Sequence, residues 1–130
     1  MFDFKNTVNF EVLLTAILLV AIDSLYLSQV KGFFGRQISD IQGSPLNVQL
    51  LPAIICYILL VAGIYYFIIK PRRSILDAFA LGIVVYGVFE TTNKALFSKW
   101  RWSTVFIDTL WGGILFALVT LIMKQIKNKV

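Results

Sequence analysis

The chain has 130 residues at 14.7 kDa, of which 58% are hydrophobic, 15% aromatic and 15% charged, with mean hydropathy +0.81 and net charge +5. A soluble domain of this size carries about a quarter charged residues, and one small core could not hide so much apolar surface. The composition excludes an ordinary water-soluble domain, disorder and low complexity, and it makes a lipid bilayer the natural solvent.

In chain order, the first apolar stretch covers about residues 10–30 and is interrupted by Asp23 and a few hydroxyls. The segment before it holds one basic residue and the acids Asp3 and Glu11, and no A-x-A-like site follows, so a retained span is expected rather than a cleaved signal peptide. The connection from Lys31 to Gln49 contains Gly32, Gly35, Gly43 and Pro45. Val30, Phe33, Phe34, Ile38 and Ile41 recur within it at helical spacing, which fits a short amphipathic helix in the headgroup region or an ordered loop with buried aromatics.

Leu50 to Ile69 is twenty residues without a charge, enough at about 1.5 Å per residue to cross a core of roughly 30 Å. Lys70-Pro71-Arg72-Arg73 then reads as a tight turn, with Ser74 placed to cap a third helix and Asp77 at capping-box spacing. That third span, about residues 75–92, carries Asp77 near its start and Glu90 near its end. Trp100 and Trp102 mark the last connection as interface anchors. The fourth span covers about residues 105–123, with Asp108 near its start. These blocks are too long for strands, so the chain is expected to be all-α: one polytopic membrane domain with four transmembrane helices.

Four spans put both termini on one face. That face carries Lys5, Lys70, Arg72, Arg73, Lys124, Lys127 and Lys129, against Lys31, Arg36, Lys94, Lys99 and Arg101 on the loop face. Seven against five is a small positive-inside bias, and it predicts cytoplasmic termini. The basic residues sit in short clusters at helix ends, which argues for the lipid bilayer as partner and against nucleic acid.

Helix polarity locates the polar chemistry. Asp23 and Glu90 lie near the ends of helices one and three, and Asp108 near the start of helix four, so all three fall in the loop-side leaflet. Tyr26, Asn93 and Trp111 each stand three residues from one of these acids. Gly82, Tyr86, Glu90 and Asn93 share one helix face, and Gly82 and Gly112 are expected to permit close helix packing. Acids within a span are costly and face inward as a rule. Two readings follow: a polar pocket open to one side that binds a cation, proton or headgroup, or acids that pair with Lys31, Lys94, Lys99 or Arg101 or sit in interfacial water. Glu11 and Asp77 read as ordinary helix-start acids.

With no histidine, no histidine-based catalyst or metal site can be built, and the single Cys56 forms no intrachain disulfide. No phosphate-cradling glycine loop, zinc signature or nucleophile elbow is present, so no cofactor, metal or catalytic residue is expected.

Asp23-Ser24-Leu25-Tyr26, Pro71, Tyr86-Gly87-Val88-Phe89-Glu90-Thr91-Thr92-Asn93, Trp100 and Asp108-Thr109-Leu110-Trp111-Gly112 follow one another in an order that resembles a known family. It is the domain of unknown function 2177, a group of uncharacterised membrane proteins. The likeness covers about residues 23–117; Glu90 stands where an aspartate is usual, and Gly112 closes the last motif. The resemblance implies a four-helix membrane protein of bacteria or large DNA viruses, with no established activity. Three functions stay open: a small, oligomeric channel or carrier for a cation, proton or small solute; a structural or assembly factor of a cellular or viral membrane; and, least favoured, a lipid-modifying enzyme.

Overall fold

In lipid every backbone polar group must be satisfied inside its own segment, which makes each long apolar stretch a helix. The computed structural model describes residues 4–129. It contains α1 (Phe4–Gln42), α2 (Leu50–Ile64), α3 (Ile75–Leu96) and α4 (Trp102–Lys129), with α2 continued by a π-helical turn over Tyr65–Ile69. α2 with its π turn and the other three helices are each long and apolar enough to cross a membrane, and the protein is an all-α, multi-pass membrane protein.

Helix one does not stop near residue 30. It runs unbroken to Gln42, so neither a separate amphipathic helix nor a long loop exists between Lys31 and Gln42. Gly32 and Gly35 sit in open space inside the helix, where each costs about 1 kcal/mol relative to alanine without breaking it. The true stop is Gly43, at φ +75°, whose N–H donates to the Ser39 carbonyl at 2.9 Å, with Pro45 just beyond. At 39 residues, α1 is about 58 Å long and exceeds a hydrocarbon core of about 30 Å. Its last turns therefore stand clear on the loop face. Helices three and four also outrun the expected ends, reaching Leu96 and spanning Trp102–Lys129.

The turn into α3 is built as expected. The Ser74 hydroxyl accepts from the Asp77 N–H at 3.0 Å, and Arg73 Nε donates to Asp77 Oδ2 at 2.9 Å. Before it, the N–H groups of Lys70 and Arg73 reach back five residues to the carbonyls of Tyr65 and Ile68, both at 2.8 Å.

The closest packing joins α3 to α4. In lipid, small residues rather than hydrophobic expulsion allow helices to approach, and here they are Gly82, Gly112 and Gly113. A Cβ on Gly82 would fall on the Gly112 carbonyl, one on Gly112 would enter the Tyr86 ring, and one on Gly113 would lie 2.8–2.9 Å from Phe79 and Ile83. α1 packs on α4, and α2 on α1. α4 is the central element, with 44% of its span buried against 17–22% in the others.

The interior divides into two layers. Leu19, Val61, Ile64, Ile68, Ala78, Leu115, Phe116, Val119 and Met123 form an apolar core toward the termini face. The loop-side half is polar. Outward positions such as Leu25, Leu59, Leu76, Val88 and Phe106 are exposed, as residues facing acyl chains should be.

Candidate functional site

Each acid of the polar layer lies on the inward stripe of its helix. On α1 the buried positions Glu11, Thr15, Leu19 and Asp23 recur every four residues. On α3 Gly82 and Glu90 are buried and Tyr86, between them, is half-buried. On α4 the series Thr104, Asp108, Gly112, Leu115 and Val119 is buried throughout.

These stripes bring Asp23, Glu90 and Asp108 into one layer, linked by aromatic donors. Tyr57 Oη donates to Asp23 Oδ2 at 2.6 Å and Trp111 Nε1 donates to Asp23 Oδ1 at 2.9 Å. Tyr26 Oη donates to Asp108 Oδ1 at 3.2 Å, and Trp100 Nε1 donates to Glu90 Oε1 at 2.8 Å. The pairing is crossed: Tyr26, three residues after Asp23, serves Asp108, and Trp111, three residues after Asp108, serves Asp23. The two rings stack, with centroids 4.4 Å apart and planes 4° from parallel. This exchange ties α1 to α4 twice, and Tyr57 adds α2.

Glu90 is fully buried on α3, and it interacts electrostatically with the buried Asp108 of α4. Its Oε2 has no protein donor. Tyr86 lies within electrostatic range of Asp23 and Asp108, with its ring edge-on to Phe116 at 6.4 Å, but among the described residues its hydroxyl makes no hydrogen bond. Asn93 shares the α3 face, yet among the described residues its side chain bonds to none of the acids; the partner of Glu90 comes from Trp100 instead.

The pairing with basic residues that the sequence left open is not made. Among the described residues, the salt bridges are Arg73–Asp77, Arg101–Asp40 and Lys127–Glu11, and none touches the three acids. Lys94 donates to the Ser98 carbonyl at 3.2 Å, and Lys99 to the Asp40 carbonyl at 3.2 Å. Glu11 departs from the expected helix-start role: it is buried and pairs with Lys127 at 2.6 Å.

Three contributors went unrecognised in the sequence. Trp100 reads as an interface anchor but is buried. Tyr57 is the one tyrosine in the first half of its span, apart from Tyr65 and Tyr66 near the other end, and that position at the depth of Asp23 is the signal that could have marked it. Gln37 lies on the unforeseen part of α1, where its Oε1 accepts from the Arg101 N–H at 2.7 Å and from Thr104 Oγ1 at 3.0 Å. It thereby fastens the start of α4 to α1.

A family model described as "Predicted membrane protein (DUF2177)" matches residues 8–124. The chain belongs to this family. The matched region contains every member of the polar layer, from Asp23 to Trp111. Neither the curated proteins nor the solved structures provide a significant match.

Chemically, the layer is rich in acceptors and, among the described residues, carries no counter-cation. Indole N–H groups donate and never accept, so Trp100 and Trp111 can only anchor carboxylates, whereas tyrosine hydroxyls and carboxyl groups can both give and take a proton. Among the described residues, no group of three or more acids or cysteines is close enough to hold a metal ion.

Proposed function

We propose that this family member is a small channel or carrier whose polar layer binds a proton, with Glu90 and Asp108 as the binding pair. The observation that supports the reading is a pair of buried acids on the packed helices α3 and α4, Glu90 and Asp108, that no salt bridge among the described residues reaches. Two such groups repel when both are ionised and are relieved by one shared proton. Intramembrane acids that face a bundle interior are typical of proton relays. Asp108 connects onward to the Tyr26 hydroxyl, while Asp23 and Tyr57 form a second donor–acceptor pair in the same layer. A metal cation is the weaker choice of cargo, given the spacing of the acids.

The basic bias of the termini face supports cytoplasmic termini. The wide apolar outer faces suit a second copy of the chain as helix partner in the membrane.

A structural or assembly role is the second reading, and one observation favours it. Both oxygens of Asp23 are already satisfied by donors from α2 and α4, which is what a packing device requires. Proteoliposomes with a trapped pH-sensitive dye separate the two. Under an imposed potential, the parent should pass protons faster than protein-free liposomes, and Glu90→Gln or Asp108→Asn should lose most of that flux while keeping helical content. A parent with no flux, together with variants that lose stability, sinks the transport reading and supports the packing one.

A further inference from the structure

At the end of the bundle opposite the carboxylates, a half-open cavity of about 120 Å³ lies between the π-helical turn of α2, the 70–73 connection and the last turns of α4. One water needs roughly 10–15 Å³, so there is room for a phosphate group. The floor is apolar, made by the buried side chains of Ile68, Ile69 and Met123. The rim carries Arg72, Arg73, Lys124 and Lys127, and no acid lines it.

Two of these cations are already engaged. Arg73 holds Asp77 at 2.9 Å, and Lys127 holds Glu11 at 2.6 Å. The side chains of Arg72 and Lys124 make no ion pair or hydrogen bond among the described residues, so two positive charges at the rim are uncompensated. Independently, Arg72 sits at φ 61°, in the left-handed region that glycine or asparagine occupies with least strain. Strained residues of this kind cluster at binding sites. Here a long guanidinium side chain occupies a turn position better suited to a small residue.

The geometry points to this cavity as a binding site for a phosphate group, gripped by Arg72 and Lys124. Guanidinium groups bind phosphate oxygens in a fixed fork and ammonium groups as point charges. Basic pockets between transmembrane helices take phosphate headgroups in this way. The apolar floor would meet the glycerol and acyl portion of a phospholipid; a free phosphate would use the rim alone. This site is independent of the carboxylate layer.

The test melts the full chain in detergent with phosphatidylglycerol, phosphatidylcholine or inorganic phosphate. A ligand that binds the folded state raises Tm by mass action. Phosphatidylglycerol should give the parent a saturable rise that phosphatidylcholine, neutral overall, does not. The rise should vanish in Arg72→Asn/Lys124→Gln, where asparagine keeps the left-handed turn accessible. It should persist in Lys31→Gln/Arg36→Gln, which removes the same charge from the loop face. A matching rise with inorganic phosphate assigns the ligand as the free anion; a rise with the lipid alone assigns the headgroup. Native mass spectrometry of the parent and of Lys124→Gln gives a second readout: one retained phosphatidylglycerol per chain is expected in the parent and none in the variant. No rise with any phosphate compound, equal rises in parent and double variant, or equal lipid retention would overturn the assignment.

Discussion

Replacing Gly82 by alanine adds one methyl group at the closest point between α3 and α4. That Cβ would stand 2.6 Å from the Gly112 carbonyl carbon and 2.9 Å from Gly113 Cα. Carbon atoms prefer separations of about 3.5–4.0 Å, and because both neighbours are backbone no rotamer change can relieve the clash. The helices must part by about 1 Å, a shift that would cost about 1–3 kcal/mol as overpacking. Alanine's better helix propensity returns about 1 kcal/mol, so a net loss of about 1–2 kcal/mol is expected at the upper end of that range. Gly63 supplies the control, since nothing lies within 4 Å of its would-be Cβ. There the same substitution should gain up to about 1 kcal/mol from propensity alone. Unfolding in mixed micelles with increasing denaturing detergent, followed by circular dichroism, measures both variants against the parent. Equal stability of Gly82→Ala and Gly63→Ala would refute the close approach. The consequence reaches the polar layer, because parting α3 from α4 also draws Glu90 away from Asp108.

Three further outcomes follow from the packing. Gln37→Leu removes the acceptor shared by the Arg101 N–H and Thr104 Oγ1; it should cost about 1–3 kcal/mol and speed limited proteolysis between residues 97 and 101. Glu11→Leu strands the Lys127 ammonium, whose side chain is 26% exposed, and should cost about 3 kcal/mol, the low end for a broken buried pair. Adding Lys127→Met should recover most of that loss in the same melt. Reporter tags at both termini should label one compartment and a tag at Gly43 the other; termini on opposite sides would remove the four-span topology.

The four spans and the shared leaflet of Asp23, Glu90 and Asp108 were legible because both follow from length and helix direction, which a one-dimensional pattern preserves. The partners of those acids were not. Tyr26 and Trp111 sit at the right depth, but which helix each one serves depends on rotation about the helix axis, and the observed exchange crosses from α1 to α4. Asn93 has the same local spacing as Tyr26 and Trp111, yet the donor to Glu90 is Trp100, beyond the end of α3. The length of α1 was hidden by Gly32 and Gly35. Their propensity cost is outweighed by tertiary docking: Gln37 is buried against α4, and Arg101 lies over the Phe33 ring at 5.8 Å. Local composition carries no record of that docking.

The central claim is that aromatic donors, not cations, hold the three acids in one layer, and the chain's three tryptophans report on it directly. Trp100 and Trp111 donate to Glu90 and Asp23, whereas the exposed Trp102 makes no hydrogen bond among the described residues and serves as an internal reference. In the indole N–H spectrum of nitrogen-15-labelled protein, two resonances should lie downfield and exchange slowly with solvent, and the third should not. Glu90→Ala should shift the Trp100 resonance and leave Trp111 nearly in place, and Asp23→Ala should do the reverse. Three equivalent, fast-exchanging indole signals, or a Trp100 signal indifferent to loss of Glu90, would contradict the account.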